Sequence, residues 1–144
     1  MAKNTFSAQE QELIKAAIHH AEQNTSGEIR VHIENKCNGN VLDRAAFIFE
    51  LLKMHETKQR NGVLFYLAIE DRQFAILGDL GINLKVPKGF WDKISDEILE
   101  YFKKEEYVEG LVKGIKEAGV QLKTYFPYEV GDENELEDDI SFGD

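Results

Sequence analysis

Leu13, Ile14, Ala17, Ile18 and Ala21 recur at helical spacing near the start of the chain and predict a first helix with one apolar stripe. Ser7 and Glu10 have the spacing of a capping box, and Phe6 stands where a hydrophobic staple would. The helix is expected to end near Asn24, with Thr25-Ser26-Gly27 as the turn. The period then changes to two. Ile29, Val31 and Ile33 alternate with Arg30, His32 and Glu34, the pattern of a strand with one wet face near a sheet edge. Residues 36–40 read as a loop. A second helix follows from Val41, with Leu42, Ala45, Ala46, Phe49 and Leu52 on its buried side.

Asn61-Gly62 breaks the helical pattern, and residues 63–69 are apolar throughout, as in a strand covered on both faces. The short polar stretch Glu70-Asp71-Arg72 predicts a hairpin to a third strand over residues 73–77. Residues 78–89 form a glycine-containing loop. Trp91, Ile94, Ile98 and Phe102 mark a third helix; Val108, Leu111, Val112, Ile115, Ala118, Leu122 and Phe126 mark a fourth, stopped by Pro127. The order α-β-α-β-β-α-α predicts an α/β fold in which helices cover a small mixed sheet. Residues 1–128 read as one domain and residues 129–144 as a C-terminal tail.

Topology says where chemistry would collect. A helix joins the first two strands, so they should be parallel. The third strand returns antiparallel. The start of the first strand, the start of the second and the end of the third then share one sheet edge, with Ser26, Glu28, Arg60, Asn61, Gly78, Asp79 and Asn83. The opposite edge collects Glu34, Asn38, Gly39, Asn40, Glu70 and Asp71.

Charge narrows the function classes. The chain has 144 residues, 17 basic and 27 acidic side chains and a formal net charge of −10. Eight acids lie in residues 129–144, which leaves 19 acids against 17 bases in the body, a net of −2. A nucleic-acid partner and an anionic membrane surface are both disfavoured, because each needs a basic face. Asp132 and Asn134 do not begin an EF-hand loop, since no glycine occupies the required sixth position. The single cysteine, Cys37, cannot form an internal disulfide and has no neighbouring His to pair with for catalysis. No apolar run approaches a membrane span, and MAKNTFSAQE lacks the apolar core of a secretory signal. The expectation is a cytoplasmic, monomeric protein.

At the first edge, Gly78-Asp79-Leu80-Gly81-Ile82-Asn83 offers two glycines that would let carbonyls turn toward a ligand. Asp79 and Glu28 would give hard carboxylate oxygens, and Asn61 or Asn83 a neutral one, a set that suits Ca²⁺. The competing reading is an ordinary strand-to-helix loop with a solvated Asp. At the second edge, Asn38-Gly39-Asn40 could hold an anion at a helix start or serve only as an Asn N-cap. His19, His20, His32 and His55 make no metal pattern, and His32 reads as a solvated or packed side chain. No P-loop, nucleophile elbow or dinucleotide fingerprint is present.

Four strings taken together add a resemblance. TSGEIRVHIE at 25–34, NGVLFYLAIEDRQFAILGDLGIN at 61–83, VPKGFW at 86–91 and NELEDDISFG at 134–143 resemble the TPM domain family, closest to its short stand-alone bacterial branch. The resemblance implies a three-layer α/β/α sandwich. It also implies calcium binding and, for some members, acid phosphatase activity. The family's Gly-Glu, Asn-Gly and Gly-x-x-Gly positions fall on Gly27-Glu28, Asn61-Gly62 and Gly78-Asp79-Leu80-Gly81, all at the first edge. Two departures bear on the choice. NTFSA carries no acid where many members have an Asp motif, and Asn83 stands where many have an acid. Both losses weaken a phosphatase centre more than a calcium site, which accepts amide and backbone oxygens.

The resulting expectation is a calcium-binding module with Glu28, Asn61, Gly78, Asp79 and Asn83 at the metal. The first alternative is a metal-dependent phosphatase in which Asp79 orients water. The second is an interaction module whose acidic tail takes a basic protein partner. Residues 134–142 carry Leu136, Ile140 and Phe142, through which part of the tail would dock on the domain.

Overall fold

Among the described residues four strands make one sheet in the order β3-β2-β1-β4. They are β1 (Glu28–Glu34), β2 (Gly62–Ala68), β3 (Gln73–Gly78) and β4 (Ile140–Phe142). The computed structural model describes residues 6–23, 25–128 and 140–143. β1 runs parallel to both β2 and β4, and β3 returns antiparallel to β2. Parallel pairing of β1 and β2 follows from the helical crossover between them, α2 (Val41–Leu51).

The two strand faces are buried under different helices, giving a three-layer α/β/α arrangement. Ile29, Val31 and Ile33 of β1 and Val63, Phe65 and Leu67 of β2 pack against α1 (Ala8–Glu22), α4 (Phe90–Lys103) and α5 (Tyr107–Tyr125). Leu64, Tyr66 and Ala68 face the other way, onto Ala45, Ile48 and Phe49 of α2 and Met54 of a short 3₁₀ turn, Met54–Glu56. This explains why β2 is apolar at every position. Close approach of α5 depends on small residues: a Cβ at Gly114 would stand 2.2 Å from Ile98 Cδ1, and one at Gly119 2.7 Å from Ala21 Cβ.

Several expectations are met. Ser7 and Glu10 form both hydrogen bonds of the capping box at α1, each at 3.0 Å. Asn40 caps α2 through Leu42 N and Asp43 N. Ile140 is buried against the main core and Phe142 packs on it, so this part of the tail docks as β4; Leu136 lies outside the described residues.

Four details differ. First, the polar side of β1 is not a wet face: His32 and Glu34 are buried and Arg30 is half-buried, with Arg44 of α2 reaching Glu34 and β4 closing the outer edge. Second, Leu13 and Leu42 are exposed, as is Ala46; the buried stripe of α2 is Ala45, Ile48 and Phe49. Third, the loop after β3 contains a further short helix, α3 (Leu80–Asn83), with Asp79 as its N-cap. Fourth, Gly78 and Gly81 do not serve by positive φ, which among the glycines occurs only at Gly39 and Gly89 of the described residues. They serve by close approach. A Cβ at Gly81 would stand 2.0 Å from the Gln59 carbonyl oxygen, and one at Gly78 2.8 Å from both Asn83 Oδ1 and the Trp91 ring.

Candidate functional site

The register brings the first-edge residues together as the topology requires. Glu28 pairs with Gly62, Val63 with Gly78, and Asp79 N donates to Gly62 O at 2.9 Å. Glu28, Gly62 and Asp79 therefore occupy one row across three strands, with the two acids separated by roughly two strand spacings, about 10 Å between Cα atoms. The residue between them has no side chain. Both acids are buried, Glu28 at 2% exposure and Asp79 at 5%.

Asp79 is heavily engaged. Arg60 Nε donates to Oδ2 at 2.7 Å and Nη2 to Oδ1 at 2.8 Å, a bidentate pair. Leu80 N donates to Oδ1 at 2.7 Å, which starts α3. The Asp79 hydrogen bond and charge raise Arg60 above its usual pKa. Arg60 itself stands in the left-handed region, at φ 51°, and its carbonyl accepts from Ile82 N at 3.3 Å, tying the 60–61 turn to α3.

The two asparagines differ. Asn83 Nδ2 donates to Gly78 O and Asn83 Oδ1 accepts from Trp91 Nε1, both at 2.8 Å, so its side chain is spent on holding the loop to α4. Asn61 is 1% exposed. Its Nδ2 donates to Ser26 O at 3.2 Å, yet its Oδ1 accepts no hydrogen bond among the described residues. A buried amide oxygen of this kind is uncommon and calls for a reason.

The second edge holds a buried polar network that sequence reasoning missed. Glu34, 1% exposed, receives Arg44 Nε at 2.8 Å and Nη2 at 2.9 Å, and the Tyr66 hydroxyl donates to Oε2. His32 Nε2 lies 3.1 Å from Glu34 Oε1, and His32 Nδ1 lies 2.8 Å from Ser141 Oγ on β4. Burial alone would raise the Glu34 pKa, but hydrogen bonds from Arg44, Tyr66 and His32 overcome it and hold the group at about 2. Burial, then the bond to Glu34, pushes the Tyr66 hydroxyl above its usual range. Burial lowers His32, so its ring is neutral at pH 7. A cleft of about 500 Å³ opens beside the network, lined by Glu34, Asn35, Lys36, Asn38, Arg44 and Glu70. One signal was available in the sequence: Tyr66 lies in a strand buried on both faces, where its hydroxyl requires a partner. Of the remaining second-edge residues, Asp71 accepts from Cys37 N at 2.7 Å, and Cys37 is itself buried.

Among the described residues no group of three or more His, Cys, Asp or Glu side chains is placed to share a metal ion, and no helix is long and apolar enough to cross a membrane.

Comparison with known proteins accounts for this architecture. The sequence profile of the TPM domain matches residues 2–121. This chain belongs to the TPM domain family. It is 48% identical to the BA42 protein of the psychrophilic bacterium Bizionia argentinensis; that NMR structure matches at a TM-score of 0.90, over 96% of this chain and 95% of the other. The N-terminal domain of a protein from P. gingivalis is similar at a TM-score of 0.69 and 18% identity, over 86% and 83% of the two chains. The N-terminal domain of cg2496 from Corynebacterium glutamicum is similar at 0.66 and 16%, over 83% and 75%. At those identities the last two show the shared fold. No protein of curated function matches the chain. The TPM fold thus places its first-edge loops, 25–28, 60–62 and 78–83, side by side by strand register alone.

Proposed function

We propose that the first edge of this TPM domain is a divalent-cation site, with calcium as the ion, and that the protein acts through it as a binding module. The observation that carries the reading is Asn61 Oδ1, buried and without a donor among the described residues. Leaving such an oxygen unsatisfied is costly, and a hard cation satisfies it directly. Glu28 and Asp79 would supply carboxylates from the same row of the sheet. Two carboxylates and an amide oxygen form a donor set for calcium or magnesium, not for a metal that prefers thiolate or imidazole. The ion would bring a divalent charge and open coordination positions for a ligand's oxygens.

Arg60 sets the terms of entry. Its guanidinium occupies both oxygens of Asp79, so a cation must displace it. The Arg60 side chain is 46% exposed, which gives it somewhere to go. Gly78 and Gly81 keep the loop close to Trp91 and Gln59 and supply no side-chain ligand. Asn83, already bonded at both ends of its amide, holds the loop in shape.

The test is a Ca²⁺ titration of the whole chain followed by backbone amide shifts. Shifts centred on residues 26–28, 60–62 and 78–83 are expected. No shift at these positions, or shifts confined to residues 129–144, would overturn the reading.

A further inference from the structure

Ile140–Phe142 adds to the sheet as an edge strand of three residues, held by one buried Ile, a partly buried Phe and a short parallel ladder to residues 31–33 of β1. What lies beneath it is polar. Ser141 Oγ meets His32 Nδ1 at 2.8 Å. Gly143 N donates to Ile33 O at 2.8 Å, and a Cβ on residue 143 would stand 2.5 Å from Glu34 Oε1 and 3.1 Å from His32 Nε2. Ser141 thus bonds one ring nitrogen of His32, and Gly143 sits close against the other, which bonds Glu34.

We propose that residues 140–143 form an acid-released latch: protonation of His32 detaches β4 from β1 and opens the His32–Glu34–Arg44–Tyr66 cluster. Burial is the largest influence against a charge on the ring; Arg44 and Arg30 add to it, while the hydrogen bond and charge of Glu34 oppose it. Arg30 and Glu34 flank it on β1, Arg44 comes from α2, Tyr66 stacks on it from β2 with ring centroids 6.0 Å apart, and Ser141 covers it from β4. Among the described residues Glu34 is the one acid of the set, and it already carries the bidentate Arg44 pair and the Tyr66 hydroxyl. A charge added on the buried ring would stand beside Arg44 and Arg30 as well as Glu34. With β4 docked, burial lowers the His32 pKa from 6.5; detaching β4 relieves part of that burial, so the detached state binds a proton more readily. The sign follows. At high pH the ring is neutral in both states and docking is unaffected. As the pH falls the detached state takes up the proton first, and docking weakens until the docked ring also titrates. The consequence is an exposed β1 edge, with free backbone groups at residues 31–33, beside the cleft of Lys36, Asn38 and Glu70.

The experiment uses the full chain. Hydrogen-exchange protection of the Gly143 amide, corrected for intrinsic rate, is followed from pH 7.5 to 5.0 together with the His32 ring carbon shifts. Protection is expected to fall in step with His32 while the β2 amide of Phe65 stays protected. His32→Gln, which can still bond Ser141 and cannot charge, is expected to make Gly143 protection independent of pH. Should His32→Gln fail to fold, Ser141→Ala decides: it keeps the titrating ring but removes the bond from β4 to Nδ1, so Gly143 protection is expected to be lost at a higher pH than in the wild type. Constant Gly143 protection while His32 titrates, the same loss in His32→Gln, or an unmoved release in Ser141→Ala would overturn the proposal.

Discussion

The guanidinium of Arg60 takes both carboxylate oxygens of Asp79, at 2.7 and 2.8 Å, across the mouth of the edge where β1, β2 and β3 meet. An internal cation thus occupies the carboxylate that a divalent ion would need. Replacing Arg60 by Gln removes the competing charge, and Ca²⁺ affinity is expected to rise about tenfold, read from a calorimetric titration. Equal affinity in the two proteins would show that Arg60 does not gate the site.

Asp79→Ala removes a carboxylate, the partner of Arg60 and the cap of α3 at once. Loss of the cap alone costs about 1 kcal/mol, measurable as a lower urea midpoint with an unchanged m-value. Calcium-dependent shifts at residues 26–28 should vanish in the same variant. Phosphomonoester turnover is expected to be equal in wild type and Asp79→Ala; a large drop would restore the hydrolytic alternative.

Tyr66→Phe tests the second-edge network without changing its shape. The Tyr66 hydroxyl donates to a buried, ionised Glu34. Removing a hydrogen bond to a charged group costs about 1.5–3 kcal/mol. The Glu34 carboxyl should titrate at higher pH in the variant, by side-chain NMR, since one of the bonds that lowers it is gone.

Glu34 also sets an acid limit. Its folded pKa, about 2, lies below the ordinary 4.5, so its contribution to stability is complete above about pH 4.5 and is lost as pH falls toward 2. Wild-type stability, from urea midpoints, should decline through that window. Glu34→Gln should be less stable at neutral pH and show a flatter decline.

Two glycines separate packing from conformation. Gly81→Ala forces a Cβ to 2.0 Å from the Gln59 carbonyl oxygen and 2.7 Å from that of Arg60. Overpacking against backbone of this kind costs about 1–3 kcal/mol and should move the amide shifts of Arg60 and Asn61. Gly39→Ala meets nothing within 4 Å and suffers only from its φ of +94°. Its cost should be about 1 kcal/mol, with Arg60 and Asn61 unmoved.

Periodicity and turn chemistry in the sequence were enough for the element order, the capping boundaries at Ser7 and Asn40, and the parallel β1–β2 pair. Topology then placed Ser26, Glu28, Arg60, Asn61, Gly78, Asp79 and Asn83 on one edge, because strand direction decides which loops meet, whatever the side chains do. What the alternation in β1 could not say is whether its polar side faces water. Arg30, His32 and Glu34 look like a solvated face until Arg44 of α2, Tyr66 of β2 and Ser141 of β4 are seen to close over His32 and Glu34, leaving Arg30 half-buried. That cover turns two of the three into a buried network, since groups taken from water must find one another. Asp79 shows the same limit. Its presence at the site was legible, but its pairing with Arg60 and Leu80 N depended on how tightly the 60–61 turn packs against α3. The sequence by itself determined which residues share an edge; only the tertiary structure decided which of them are already satisfied, because hydrogen-bond partners are fixed by side-chain packing over a few ångströms and not by strand order.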